Sequence, residues 1–138
     1  MRLPKVVFSS WVQWANRKKL KNRDLPGVYL LARFKSPPNR VNLRAEEIIY
    51  IGETCKKLMS RWGQFNRSAF KGKRGHSGGH TYRRKRLGSE KGLYVSAFPV
   101  PENGLGVECR PLFIRYVERK LMLEFAKKWG KAPVCNSK

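Results

Sequence analysis

LPGVYLLARF at residues 25–34 and EEIIYIGET at residues 46–54 are the two stretches on which the reading of this chain turns. Pro26-Gly27 marks a turn into the run Val28 to Phe34, which is apolar, partly β-branched and aromatic, as a largely buried strand is. Ile48 to Ile51 has the same character. Between them KSPPNRVNLRAEE is polar, and its Pro37-Pro38-Asn39 cluster cannot continue a strand. The two runs therefore read as the arms of a hairpin with a long loop. Each arm carries a tyrosine beside a glycine, in Gly27-Val28-Tyr29 and in Tyr50-Ile51-Gly52.

A chain of 138 residues makes one domain and buries about two-thirds of its unfolded surface. Its 31 lysines and arginines face only 9 acidic residues, a formal charge of +22. Such a charge opposes folding through self-repulsion, and a polyanionic partner accounts for it. A basic membrane-surface protein needs its cations gathered opposite a concentrated apolar face, whereas these are spread along the chain, so nucleic acid is the expected partner and a membrane is not. No run approaches the roughly 18 apolar residues of a membrane span, and no secretory signal is expected at the N-terminus. Cys55, Cys109 and Cys135 are odd in number and widely spaced, which predicts reduced thiols and a cytoplasmic setting, nucleoid-associated when bound.

In residues 1–25, SSWVQWANRKKLKNRD predicts a basic amphipathic helix packed on the core. Ser9 and Ser10 would supply its cap, Trp11, Trp14 and Ala15 its packed side, and Lys18 and Lys19 a phosphate-gripping face. After the hairpin, Thr54 is placed to cap a helix whose stripe is Leu58, Met59, Trp62, Phe65 and Ala69, and Lys57, Arg61 and Phe65 share a face at four-residue spacing. Residues 71–92, KGKRGHSGGHTYRRKRLGSEKG, read as a basic Gly/His loop. Glycines permit close backbone approach and anion-binding concavities, so Lys73, Arg74, His76, Arg83, Arg84, Lys85 and Arg86 join Lys57 as expected DNA contacts. Leu93 to Val100 is a third strand and PENGLGVECR a loop. From Pro111 to Gly130 a last helix buries Phe113, Ile114, Val117, Leu121 and Phe125, with Glu118 at the border of that stripe.

The two tyrosine–glycine tripeptides, followed in order by Arg61 on the next helix, Glu118 on a later helix and Asn136 near the end, resemble the GIY-YIG nuclease family over residues 26–138. The resemblance implies an α/β (α+β) fold, a small three-stranded antiparallel sheet flanked by helices, here with the extra N-terminal helix. It implies a metal-dependent DNA endonuclease, restriction-like or repair-like, acting on duplex or branched DNA as monomer or dimer. By the same resemblance Tyr29 accepts or orients the water's proton, Tyr50 bonds the phosphate region, Arg61 stabilises developing charge, Glu118 holds the metal, and Asn136 ties the terminus to the site or holds a water. With Glu118 alone on the pattern, one Mg²⁺ (or Mn²⁺) ion is expected, since Mg²⁺ keeps several waters and needs few protein ligands, with Glu53 in reserve. The family often has a histidine one turn beyond the arginine, where this chain has Phe65. His80, and after it His76, is expected to replace it. Zinc held by His76 and His80 with Cys55 or Cys109 lacks a Cys-x-x-Cys partner. The competing readings are a silent binding module of the same fold and a basic protein bound to ribosomal RNA.

Overall fold

The computed structural model describes residues 2–136. Its strands are β1 (Val12–Gln13), β2 (Gly27–Arg33), β3 (Ile48–Thr54) and β4 (Leu93–Pro99), and its helices are α1 (Leu58–Lys71), α2 (Ser77–Arg84) and α3 (Gly106–Trp129), with a 3-10 helix over Trp14–Lys19. β2 and β3 form the expected antiparallel hairpin, pairing Tyr29 with Gly52, Leu30 with Ile51 and Leu31 with Tyr50, before the register slips between Leu31 and Ala32. β4 takes the other side of β2, so β2 is paired along both margins and buried on both faces. That position explains its unbroken apolar run, which a half-exposed strand would not show. The result is a mixed α/β architecture around an open antiparallel sheet of strand order β1-β4-β2-β3.

Alternation along β2 divides the core. Val28, Leu30 and Ala32 face α3, whose Phe113, Ile114, Val117, Leu121 and Phe125 are buried as the stripe predicts. Tyr29 and Leu31 face the opposite way, toward Leu58, Trp62, Phe65 and Ala69 of α1 and Tyr82 of α2. Since residues paired across a ladder share a face, Tyr50 and Gly52 lie on this second side with Tyr29.

Five expectations are corrected. The sheet has four strands, because Val12 and Gln13 pair with Val95 and Tyr94 of β4. With that, the predicted N-terminal helix is replaced by a strand and a 3-10 turn. Ser9 accepts and donates along β4 instead of capping a helix: its amide donates to the Ala97 carbonyl and its hydroxyl accepts from the Ala97 amide at 3.0 Å. Trp11 and Trp14 consequently enter opposite sides of the sheet, and Ala15 is exposed.

Next, Thr54 ends β3; its hydroxyl accepts from the Lys56 amide at 3.1 Å, in a local turn, and α1 begins only at Leu58. The basic segment 71–92 is not loop throughout, for α2 crosses its middle with Gly78, Gly79, Thr81 and Tyr82 buried. Lastly, α3 begins at Gly106, a turn and a half before Pro111, which lies inside the helix. The carbonyl that Pro111 leaves without its amide partner belongs to Val107, a residue that is 80 % exposed. No helix among the described residues is long and apolar enough to cross a membrane.

The Trp14 ring is fully buried and its indole N–H donates to Asn66 Oδ1 at 2.8 Å. Trp14→Ala should therefore lower unfolding free energy by about 3–5 kcal/mol in urea titration. Ala15→Gln should stay within about 0.5 kcal/mol, and a larger loss there would return Ala15 to a packed helical face.

Candidate active site

Two ring systems are brought together by a missing side chain. Gly52 lies directly across from Tyr29, and a Cβ built on it would stand 2.5 Å from the Tyr50 ring and 2.7 Å from Cζ of Tyr29. Only a glycine lets both tyrosines lean over that point of β3, with ring centroids 5.9 Å apart. Gly78 does the same on α2, where a Cβ would come within 2.6 Å of the other edge of Tyr50. Tyr50 is thus seated between two glycines of distant sequence.

His76 completes the cluster. Its side chain caps α2, Nδ1 accepting from the Gly79 amide at 3.1 Å, while Nε2 stands 3.1 Å from the Tyr29 hydroxyl. An acceptor at Nδ1 requires the proton on Nε2, so the imidazole donates to the tyrosine oxygen. Its backbone amide donates to Ser68 Oγ at 3.1 Å, and that hydroxyl donates to the Lys73 carbonyl at 2.7 Å. The ring packs edge-on against Phe65, centroids 5.2 Å apart. The helix position that holds Phe65 therefore supports a histidine delivered from the following segment. His76 is 1 % exposed and cannot serve as the DNA-contacting residue expected of it. Burial first, then Arg61 and His80, push its pKa down to about 3, so it stays neutral.

Arg61 projects from α1, its Nη1 donating to Gln64 Oε1 at 2.6 Å and to the Gly75 carbonyl at 3.2 Å. Both tyrosines feel it. Burial raises the Tyr29 phenol well above its ordinary value, the Tyr50 charge raises it further, and Arg61 opposes. For Tyr50 burial again raises the pKa, Arg61 lowers it and Glu118 raises it, while the Tyr29 hydroxyl, as donor, favours its ionised form. Tyr29 is fully buried, whereas Tyr50 borders an open groove of about 960 Å³ between α2 and α3. Glu118 lines the same groove. Its carboxyl is raised above the usual range by burial and by Glu53, with Arg119 opposing.

Asn136 closes the site from behind. Its Oδ1 accepts from the Ile51 amide and its Nδ2 donates to the Ile51 carbonyl, both at 2.9 Å, so it ties the C-terminal segment to β3 between the two key residues of that strand.

The expected DNA contacts are distributed unevenly. His80 and Arg84 border the main groove and, with Arg83 and Arg86, a second one of about 670 Å³. Lys57 shares a third, of about 380 Å³, with Arg61, Glu53 and Arg115. Lys73, Arg74 and Lys85 are exposed. Lys18 and Lys19 are exposed on the 3-10 helix, and Lys19 borders a different depression with Phe8 and Pro99. Sequence reasoning passed over Ser68, Gln64 and Gly78; the available signal was Ser68, a polar residue inside the apolar stripe of α1.

Glu118, half-buried, is the carboxylate that lines the main groove, and a hard divalent ion that keeps most of its waters would need few ligands besides it. Among the described residues no three His, Cys, Asp or Glu side chains gather as a metal group. The zinc arrangement fails because both ring nitrogens of His76 are engaged. All three cysteines are free, and burial pushes the Cys135 thiol up to about 12. No family model matches the chain, and no curated protein or solved structure is significantly similar to it. The functional reading therefore rests on the side chains of the site.

Gly52→Ala should destabilise the protein by about 1–3 kcal/mol in thermal unfolding, as overpacking does. His76 gives a second test. The unfolded chain takes up its proton near pH 6.5 and the folded chain only near pH 3, so its stability is whole above pH 6.5 and drains as pH falls through that window. The slope approaches about 1.4 kcal/mol per pH unit. In denaturant titrations from pH 7 to pH 4, His76→Asn should flatten that slope; an unchanged slope would mean that His76 protonates freely.

Proposed function

We propose that the protein is a Mg²⁺-dependent DNA endonuclease of GIY-YIG type, hydrolysing phosphodiester bonds. The observation that carries this reading is that Tyr50 and Glu118 line one groove while Arg61, which borders a neighbouring one, acts electrostatically on Tyr50, backed by the buried Tyr29–His76 pair. Three elements distant in sequence supply them, and a core of satisfied aromatics has no need of the arginine and the carboxylate.

The chemistry follows from what each group can do. Glu118 would hold the divalent ion, with Glu53 beside it, and such an ion supplies Lewis-acid polarisation of the phosphate oxygens. Arg61, fixed by Gln64 and the Gly75 carbonyl, carries charge that is present before the transition state forms. Tyr50 is the phenol that borders the groove, and although burial raises its pKa, Arg61 and the Tyr29 hydroxyl act against that rise. We assign it the contact with the attacking water or the scissile phosphate. Tyr29, sealed in the core, acts through Tyr50, and His76 fixes it by donating a hydrogen bond to its oxygen. His76 cannot accept the Tyr29 proton, because its remaining nitrogen is occupied by Gly79. The cations of α2 and the Lys57 groove would hold the backbone on either side, giving affinity without sequence information.

The test is incubation with plasmid DNA in Mg²⁺ and in EDTA. Cutting should require the metal, and Tyr50→Phe and Glu118→Ala should each reduce it by about 10²-fold or more while DNA binding persists. Undiminished cutting by Glu118→Ala would remove that residue from the reaction, and tight binding with no cutting of any substrate would leave a silent binding module.

A further inference from the structure

The groove at Tyr50 and Glu118 is not lined as a phosphate track would be. One wall is Met122, Leu123 and Ala126 of α3; the other is α2, with Thr81 and His80, and arginines stand at the rim, Arg84 on α2 and Arg119 on α3. Leu123 is 62 % exposed in a chain of formal charge +22. Exposed apolar surface beside a reactive site marks a place where something apolar is received. A sugar–phosphate backbone has no use for it, but the face of a base has. The volume, about 960 Å³, lies in the range of about 300–1,000 Å³ in which proteins bury small ligands.

The neighbouring groove has the opposite character. It is bordered by His80, Arg83, Arg84 and Arg86, and it shares His80 and Arg84 with the first. Phosphates fit there, and an unstacked base fits next door. Asn136, at the floor, has its amide committed to the backbone of Ile51, so it contributes little to reading a base edge.

We infer that the groove between α2 and α3 receives an unpaired nucleoside next to the scissile phosphate, so that the substrate is DNA with a single-strand-to-duplex boundary in preference to continuous duplex. The inference deepens the nuclease reading and rests on it. It predicts tolerance of base identity, since the walls offer shape and apolar contact instead of a fixed donor and acceptor pattern.

The test uses the full chain in EDTA, with a forked DNA carrying 2-aminopurine as its first unpaired nucleotide and a continuous duplex carrying it internally. The fork should bind about tenfold more tightly, and its 2-aminopurine emission should rise on binding as the base leaves its neighbours. Leu123→Gln, which alters an exposed residue and should fold, and Ala126→Leu, which fills the groove, should each remove most of that preference. Neither should change the salt dependence of binding, whereas Arg83→Ala with Arg84→Ala should flatten it. Equal affinity and unchanged emission for fork and duplex would overturn the inference, as would a fork preference that survives both groove variants. Cutting of continuous duplex in Mg²⁺ under those results would leave the nuclease reading intact, whereas absence of any DNA binding would remove both.

Discussion

The contact between Tyr29 and the bare backbone of Gly52 is the constraint from which the site follows. A side chain at that point of β3 would occupy the space where two aromatic rings now lie. With the space open, Tyr50 reaches over its own strand toward α2, where Gly78 again yields, and the Tyr29 hydroxyl is free to meet His76. The two halves of the hairpin thus have complementary tasks. β2 sends a phenol into the core, and β3 supplies both the gap that admits it and the phenol that borders the groove.

Charge sets the second condition. A protein with so few carboxylates cannot neutralise its cations internally, and it holds Arg61 beside a buried imidazole. A protonated His76 there would stand close to another cation in a desolvated place, which is why it stays neutral and serves as a cap and a donor. Glu118 experiences the reverse: removal from water and a second carboxylate raise its pKa, with Arg119 opposing. Tyr50 lies in the field between Arg61 and Glu118.

Much of this was legible in the residues. The hairpin, β4 and the buried stripes of α1 and α3 follow from apolar patterning, because each is long enough to show either an apolar run or a helical period. β1 is not, since two residues cannot show alternation. The three-residue spacing of Trp11 and Trp14 fits one side of a helix as well as opposite sides of a sheet. α2 was hidden for another reason: its sequence, SGGHTYRR, has poor helix propensity and strong charge, and its cap is a histidine instead of Ser, Thr, Asp or Asn. The choice between His76 and His80 depended on that helix. As cap, His76 has extended backbone and turns back to Tyr29, whereas His80, one turn along, looks into the groove. Tertiary packing decided each of these points, and no local window of sequence contains it.

The C-terminal segment that holds Ile51 has a consequence beyond the site. β3 is the last strand of its side, and the outward peptide groups of such a strand invite another chain to add itself. Here the Cys135 amide takes the Ile49 carbonyl, and the Asn136 side chain, imitating a peptide unit, takes both groups of Ile51. The tail therefore occupies part of the outer margin of β3 that another strand would otherwise use, a built-in guard against strand-to-strand self-association.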